Sequence, residues 1–446
     1  MKRNQYLVDV KGPDIPPIEI VLPEELPLDM AAVGQLVDFA GVKSPSGQGA
    51  IKVCATPDFH KGSIVPVGSV VATPSNMVIP KAIGTDINCG MRMHMWDISR
   101  EEFAANKDRW VRLMHGDILE GTRNMPGNRE QMIRLAEEGL PGWLDELKKN
   151  PTNMWSKMDW QQHYKDLDQC YSYGWMPGDA RYLPEALLRE GEFRDPGFAS
   201  VGSGNHFLEI GYVAEIYDRQ AAYAWGLKKD RVTVMIHTGS RDVGFHVGGR
   251  WMDYAKSKHP KGIPHPESGI YALEDEDARE YMLAMGVAAN YAYANRLAIA
   301  ELVRQRCVQV FGYKSFSLVS DIPHNVVIEE NGMNIHRKGS TPAMVGDRLL
   351  IPGSMGDSSF VLKGTGCERF LNTASHGAGR AVRRQRMYHV NKEATREIEC
   401  ITLKAERRIE EAPSAYKPIL PVIESQVAMG MVEKVARIEP ILTFKA

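Results

Sequence analysis

Five histidines of this chain each sit in a short run of small, polar residues: His60 in PDFHKG, His206 in GSGNHFLE, His237 in HTGSRDVG, His324 in DIPHNV and His376 in SHGAGR. Such runs are the signature of loops at strand ends, where a rigid scaffold presents chemistry. With Asp86 and Cys89 in the turn GTDINCGM, they supply imidazole, thiolate and carboxylate, the side chains that bind transition metals. The candidates are scattered from Asp58 to His376. A shared site therefore demands a fold that weaves distant segments together. Length alone, 446 residues, would suggest two or three domains. The scatter argues instead for one domain over residues 1–446.

The bulk composition narrows the partners. A hydrophobic fraction of 43% and a charged fraction of 25% are ordinary for a globular protein. A formal net charge of -2 gives no general pull toward nucleic acid, so a polyanion would have to be met by a locally basic surface. The six cysteines form no CxxC pair, which argues for a reducing compartment. MKRNQYLVDV lacks the apolar core of a secretory leader. The most apolar long stretch, Ile64 to Gly84, contains three prolines and two glycines and reads as strands and turns. A cytoplasmic, non-membrane protein is expected.

Extended text such as IEIVL, IKVCA, SIVPVGSVVA and the alternating RMHMWDI predicts strands in the first hundred residues. From about 101 to 195 the pattern turns helical and insertion-like. In REQMIRLAEEGLPGWLDELKK an apolar face is marked by Met132, Ile133, Leu135, Leu140, Trp143 and Leu147, with a break expected at Pro141 and Gly142. Strands return with VTVMI before His237, SLVSDI before His324 and RLLIP before Gly353. A long helix is predicted from about Glu274 to Phe311, and helical patterns near Thr395–Glu411 and Val422–Ile438. The fold class is α+β: a mixed β core with helices around it.

Asp86 and Cys89 are three residues apart in a turn bordered by Gly84 and Gly90. Glycine lets a backbone fold tightly enough to aim both side chains one way. The thiolate is the ligand, and a bound metal would hold it deprotonated. His206, His237 and His324 would complete the set. The plainer alternatives are a small buried cysteine and turn histidines. The ligand mix suits zinc, manganese, iron or cobalt. His60 reads as part of a polar loop beside Asp58, and His94, inside RMHMWDI, as a packed residue.

SHGAGRAVRR carries a second chemistry. Gly377 and Gly379 allow close backbone approach to a bulky ligand. Arg380 offers a planar fork for phosphate, and Arg383, Arg384 and Arg386 form the densest basic run. A neutral imidazole can attack phosphorus, giving a covalent phosphoramidate. A glycine turn before a solvated basic helix is the bland reading. The loop in IPGSMGDSSFVLKG can cradle an anion through backbone N–H groups, and HRKGSTPA places Arg337 and Lys338 in another turn.

The motifs PDFHKG, IGTDINCGM, GSGNHFLE, HTGSRDVG, HNVVIEENG, HRKGSTPA, IPGSMG, SHGAGR, EAPSAYK and ARIEPILTFKA, in this order, resemble those of the RtcB family of GTP- and manganese-dependent RNA ligases. The resemblance implies a single α+β domain with a deep metal-containing cleft, and two Mn2+ ions held by Asp86, Cys89, His206, His237 and His324, with Cys89 bridging. It implies that His376 accepts GMP from GTP, and that Asn205, Glu209, Ser354, Arg380, Tyr416 and Lys445 hold the guanylate. Arg241 and Lys338 would contact RNA phosphates. The implied reaction joins an RNA 3′-phosphate or 2′,3′-cyclic phosphate to a 5′-hydroxyl, in tRNA splicing or RNA repair. Other readings are a metal-dependent phosphohydrolase or nuclease, and a non-catalytic RNA-binding paralogue.

The chain departs from common family text at four places. Asn88 stands where glycine is also frequent, Ser203 and Asp242 replace usual glycines, and Arg383 replaces a common serine. None removes a ligand or the nucleophile, so catalysis is expected to be retained. Asp242 adds negative charge beside a presumed RNA contact.

Overall fold

The computed structural model describes residues 1–382, Met387 and residues 399–446. Arg383, Arg384, Arg386 and the first part of the helical pattern near Thr395–Glu411 lie outside the described residues. The fold is α+β, as the sequence predicts, and is built on two large sheets. One has seven strands in the order Lys2–Arg3, Leu7–Val10, Ile18–Val21, Lys52–His60, Val67–Pro74, Met333–Lys338 and Asn325–Glu330. The other follows the order Phe316–Pro323, Gly90–Ser99, Arg231–Thr238, Phe207–Ile216, Val432–Phe444, Ser359–Gly364 and Arg348–Ile351, with Cys400–Ile401 pairing beside Val432–Phe444. The N-terminal strands thus share a sheet with residues three hundred positions later, which is the interweaving that the scattered motifs require.

The helix Asp275–Phe311 is buried almost all round from Ala278 to Cys307, as expected of a helix inside a large core. The helices Arg100–His115, Arg129–Lys149 and Arg241–Lys258 pack against it. Arg129–Lys149 opens with a capping box between Asn128 and Gln131. Its break falls at Gly139, where φ is 63°, and not at Pro141 and Gly142. A side chain at 139 would collide with the Gly174 carbonyl and Trp175, so the bend is set by what packs there. The residues between 153 and 187 form the short helix Trp160–Asp166 and several single helical turns.

The C-terminal pattern differs more. The helix spans Ile419–Ala428 alone, and Val432–Phe444 is a 13-residue strand. Gly430, at φ 67°, ends the helix, and the β-branched Val432, Val435 and Ile438 that follow suit a sheet. Near Glu411 the described part holds the strand Cys400–Ile401 and the short helix Glu406–Glu410. Among the described residues no helix is long and apolar enough to cross a membrane.

Candidate active site

Four neighbouring strands of the larger sheet deliver the candidate ligands to one end. They run antiparallel, so starts and finishes alternate across the sheet. Cys89 precedes the strand Gly90–Ser99, His237 closes Arg231–Thr238, His206 precedes Phe207–Ile216, and His324 follows Phe316–Pro323. The register pairs Gly90 with both Thr238 and Pro323, and Phe207 with His237. The strand Phe316–Pro323 leaves the sheet directly through His324 into Asn325–Glu330 of the other sheet. The ligand end is therefore where the two sheets meet.

The turn holding Asp86 and Cys89 is fixed by hydrogen bonds. Asn88 has φ 52°, a left-handed conformation that asparagine and glycine adopt at low cost. That accounts for Asn88 at a position shared with glycine. Its side-chain Nδ2 donates to the Ala289 carbonyl at 2.7 Å. Arg296, fully buried in the long helix, donates to the Asn88 carbonyl at 2.7 Å and to the Thr238 carbonyl at 3.0 Å, and pairs with Asp321. One guanidinium thus ties the residue before Cys89 to the residue after His237. Gly239 completes the closure: a Cβ there would lie 2.3 Å from Asp86 Oδ1 and 3.0 Å from Cys89 Cα.

The donor atoms converge. Cys89 Sγ lies 3.2 Å from His206 Nε2 and 3.3 Å from His237 Nε2. His206 Nε2 is 2.9 Å from Asp86 Oδ2, and His237 Nε2 is 3.2 Å from His324 Nε2. Burial, and then neighbouring imidazoles, hold His237 and His324 well below the usual histidine range, which favours neutral rings, each with one lone-pair nitrogen. Burial, with the Asp86 carboxylate beside it, pushes the Cys89 thiol up, whereas metal binding displaces that proton. Burial opposes ionisation of Asp86, but the His206 charge and hydrogen bond outweigh it and hold the carboxyl low. His206 is oriented by Nδ1 against the Val201 carbonyl at 3.0 Å. Imidazole, thiol and carboxylate groups in such close contact fit a transition-metal site: the donor atoms of Cys89, His206 and His237 lie within 4.8 Å of one another, with Asp86 joined to them at His206 and His324 at His237. All five predicted ligands are brought together.

His376 sits against this cluster, its ring 4.7 Å from that of His324. It follows the short strand Thr373–Ser375, which pairs with Ser340–Pro342. Its Nδ1 meets Asp58 Oδ2 at 2.5 Å, and its backbone N–H donates to the same oxygen at 3.3 Å. Thr56 Oγ1 donates to the other carboxylate oxygen at 2.6 Å. Burial disfavours the Asp58 charge, yet the His376 hydrogen bond and charge hold its carboxyl below the usual range. An ionised Asp58 fixes the proton of His376 on Nδ1 and leaves Nε2 as the free nitrogen. Gly379, at φ 75°, lets SHGAG lie on the Asp58 backbone, 2.2 Å from the Asp58 carbonyl to a virtual Cβ. The close approach that sequence assigns to a ligand is thus made, at Gly379, by the chain itself.

A cavity of about 720 Å³ opens in front of His376 and His237. Asn205, Glu209, Ser354, Arg380, Tyr416 and Lys445, the six predicted nucleotide contacts, all line it, as does Lys338. Pro352 to Met355 contribute the small-residue loop. Glu209 is pushed up to about 7 by burial, against a 3.0 Å hydrogen bond from Thr443 and the charge of Lys445. Glu411, fully buried, gathers three of these contacts: Arg380 at 3.1 Å, the Tyr416 hydroxyl, and Lys445 at 3.6 Å. Lys417, also buried, donates to the carbonyls of Pro57 and Phe59 and clamps the segment that carries Asp58.

Other predicted residues sit elsewhere. Arg241 lines a second cavity beyond the Ser200–Gly202 segment, and Asp242 is exposed in the first turn of Arg241–Lys258, where a negative charge suits the helix dipole. Ser203 is exposed. Arg337 is not in a surface turn. It is fully buried in the strand Met333–Lys338 and paired with Glu330. His60 lines the main cavity with Nδ1 on the Asp58 carbonyl at 2.7 Å, and burial pulls it down to about 4. His94 is packed, stacked on Phe316. Sequence reasoning gave Asp58 no definite partner and passed over Glu411 and Lys417, although PDFHKG and EAPSAYK contain them.

Comparison with known proteins gives a consistent result. A family model described as tRNA-splicing ligase RtcB matches residues 40–446. The chain is similar to a protein named tRNA-splicing ligase RtcB from Thermococcus kodakarensis, 31% identical with 86% of each chain covered. It is also similar to a protein named RNA-splicing ligase RtcB from Mycobacterium bovis, 33% identical over 87% of this chain and 95% of the relative, and to a Pyrobaculum aerophilum tRNA-splicing ligase RtcB at 32% identity.

Proposed function

This chain belongs to the RtcB family of tRNA-splicing ligases, and on that premise we propose that it joins RNA ends through a guanylylated His376. The observation that carries the proposal is the His376 ring, held through Nδ1 by Asp58, placed beside His324 and lining a cavity large enough for a nucleotide. A hydrolase would use such a carboxylate-held imidazole as general acid or base, so a covalent GMP adduct is what separates the two readings.

The first step follows from this arrangement. The Nε2 lone pair of His376 attacks the α-phosphorus of GTP. The bond from that phosphorus to the bridging oxygen breaks, and pyrophosphate leaves. Asp58 keeps the ring in the reactive tautomer and offsets the charge that forms on it. Lys445 and Arg380 contribute positive charge along the cavity, and Glu209, which lines it, would help hold the guanylate. GMP then passes to an RNA 3′-phosphate, a cyclic phosphate having first been opened by water. A 5′-hydroxyl finally attacks the activated phosphorus and displaces GMP. Asp86, Cys89, His206, His237 and His324 would hold two Mn2+ ions, which as Lewis acids stabilise negative charge on phosphoryl oxygens. Residues 1–446 would act as one catalytic domain, with a helical insertion at about 101–195, in the cytoplasm on tRNA or broken RNA.

The test is incubation with α-labelled GTP and manganese. An acid-labile protein adduct that disappears in His376→Ala is the expected result. Folded protein that forms no adduct with any of several divalent metals would overturn the proposal.

A further inference from the structure

Asp58 holds two imidazoles. Its carboxylate fixes His376 through Nδ1, and its backbone carbonyl accepts from Nδ1 of His60 at 2.7 Å. A carbonyl can only accept, so the proton of a neutral His60 ring sits on Nδ1 and the lone pair on Nε2. That Nε2 has no hydrogen-bond partner among the described residues. His60 lines the same cavity as His376.

Packing fixes the place of the ring. His60 ends the strand Lys52–His60, where pairing resumes at Val67 after an irregular stretch from Ala55. Val67 in turn borders Gly339: a Cβ on that glycine would lie 2.2 Å from Val67 Cγ1 and 3.1 Å from His376 Cε1. Lys417 grips the carbonyls on either side of Asp58, Pro57 at 3.0 Å and Phe59 at 2.6 Å. Both rings are therefore anchored on one clamped residue and reach the cavity from adjoining segments.

Burial lowers His60 to about 4, against the Asp58 carbonyl and charge, while the charges of Lys417 and His376 add to the lowering. The ring is neutral near pH 7. Phosphates entering the cavity bring negative charge beside it and raise that value toward the range where a base works best.

Other groups around the cavity are committed. His376 takes the nucleotide, His237 belongs to the metal donors, Glu411 pairs with Arg380, and Asp29 caps the helix Met30–Ala40. Yet the final joining step needs a proton acceptor, because a hydroxyl that attacks phosphorus must lose its proton as the new bond forms.

We propose that His60 is the general base of that step, an inference that rests on the RNA-ligase reading. Its Nε2 takes the proton of the RNA 5′-hydroxyl while the hydroxyl oxygen bonds to the 3′-phosphorus of the activated end. The bond from this phosphorus to the oxygen bridging it to the guanylate breaks, and GMP leaves with the electron pair. The imidazolium then returns its proton to water.

The test times sealing by itself. A strand ending in a 3′-guanylylated phosphate is mixed with a 5′-hydroxyl strand and manganese in single turnover, and adduct formation from labelled GTP is timed separately in the same proteins. His60→Asn keeps a side-chain N–H for the Asp58 carbonyl but has no basic nitrogen. His60→Ala leaves room for added imidazole. Sealing by His60→Asn should fall about 100-fold, far more than adduct formation does, and imidazole should restore sealing in His60→Ala in proportion to its concentration. Sealing by His60→Asn at the full rate would overturn the proposal. Equal losses in sealing and adduct formation would overturn it too, since they mark a ring that only supports the fold. The unaltered protein reports separately on the ligase reading: if it forms the adduct and seals, the variants bear on His60 alone, whereas failure of both removes that reading and this step with it.

Discussion

Replacing Asp58 by asparagine isolates the contribution of one carboxylate to the reactivity of His376. Asp58 is fully buried and meets His376 Nδ1 at 2.5 Å, with a second bond from the His376 backbone at 3.3 Å. Asparagine keeps the shape and one acceptor but loses the charge. A hydrogen bond to a charged group contributes about 1.5–3 kcal/mol. If that amount is realised as the imidazole becomes positive in the transition state, the rate of adduct formation falls about 10- to 150-fold. The loss is larger if the new amide turns its NH2 toward Nδ1. The ring proton would then move to Nε2 and occupy the attacking lone pair. The assay is single-turnover formation of the GMP adduct from labelled GTP over a range of GTP concentrations. Asp58 does not line the cavity, so the half-saturating GTP concentration should stay close to that of the unaltered protein while the limiting rate drops. Adduct formation by Asp58→Asn at the full rate would refute the reasoning, as would a normal limiting rate with weakened GTP saturation. The same variant carries a pH signature. The Asp58 carboxyl is lowered in the folded protein, so its contribution to stability is fully present above the unfolded value near 3.8 and is lost as pH falls through the folded value. Acid unfolding of Asp58→Asn should lack that part of the slope.

Two further outcomes follow from buried geometry. Asn88→Ala and Asn88→Gly both lose the bond to the Ala289 carbonyl, but only alanine must also hold φ near 52°. Asn88→Ala should therefore be the less stable by about 1 kcal/mol in urea denaturation, and the reverse order would contradict the left-handed turn. Glu209 is about 7 when folded, against 4.5 for a free carboxyl. The folded state therefore binds the extra proton between those values, and this residue costs stability increasingly as pH rises from 4.5 to 7. Glu209→Gln should raise the melting temperature at pH 8, by no more than about 3 kcal/mol in stability, and change it little near pH 4.5; equal effects at both pH values would exclude this account.

The sequence makes the ligands visible and leaves their arrangement hidden, for a physical reason. His206, His237 and His324 announce themselves because small polar neighbours are rare in strands. That they meet depends on the strand order Phe316–Pro323, Gly90–Ser99, Arg231–Thr238, Phe207–Ile216, which no local pattern encodes. The Asp58–His376 contact joins residues 318 positions apart; the glycines and arginines around His376 only suggest a nucleophile, and the family resemblance is what assigns it that role. Arg337 reads as a surface cation because its pairing with Glu330 and burial are tertiary. The error at Val432–Phe444 has a local origin: valines and isoleucines spaced three to five apart continue a real helix pattern past Gly430, where the backbone had already turned.

The delivery of Cys89, His206, His237 and His324 from alternating ends of adjacent strands makes the candidate metal centre a checksum on the whole sheet. A slip of one residue in any of the four pairings would turn that strand's side chains to the opposite face and withdraw its ligand from the cluster. Because the pairings link segments far apart in sequence, they are among the slowest to form. A partly folded chain would therefore hold loose, separated donors and little affinity for metal, and tight metal binding would signal that every pairing is in register.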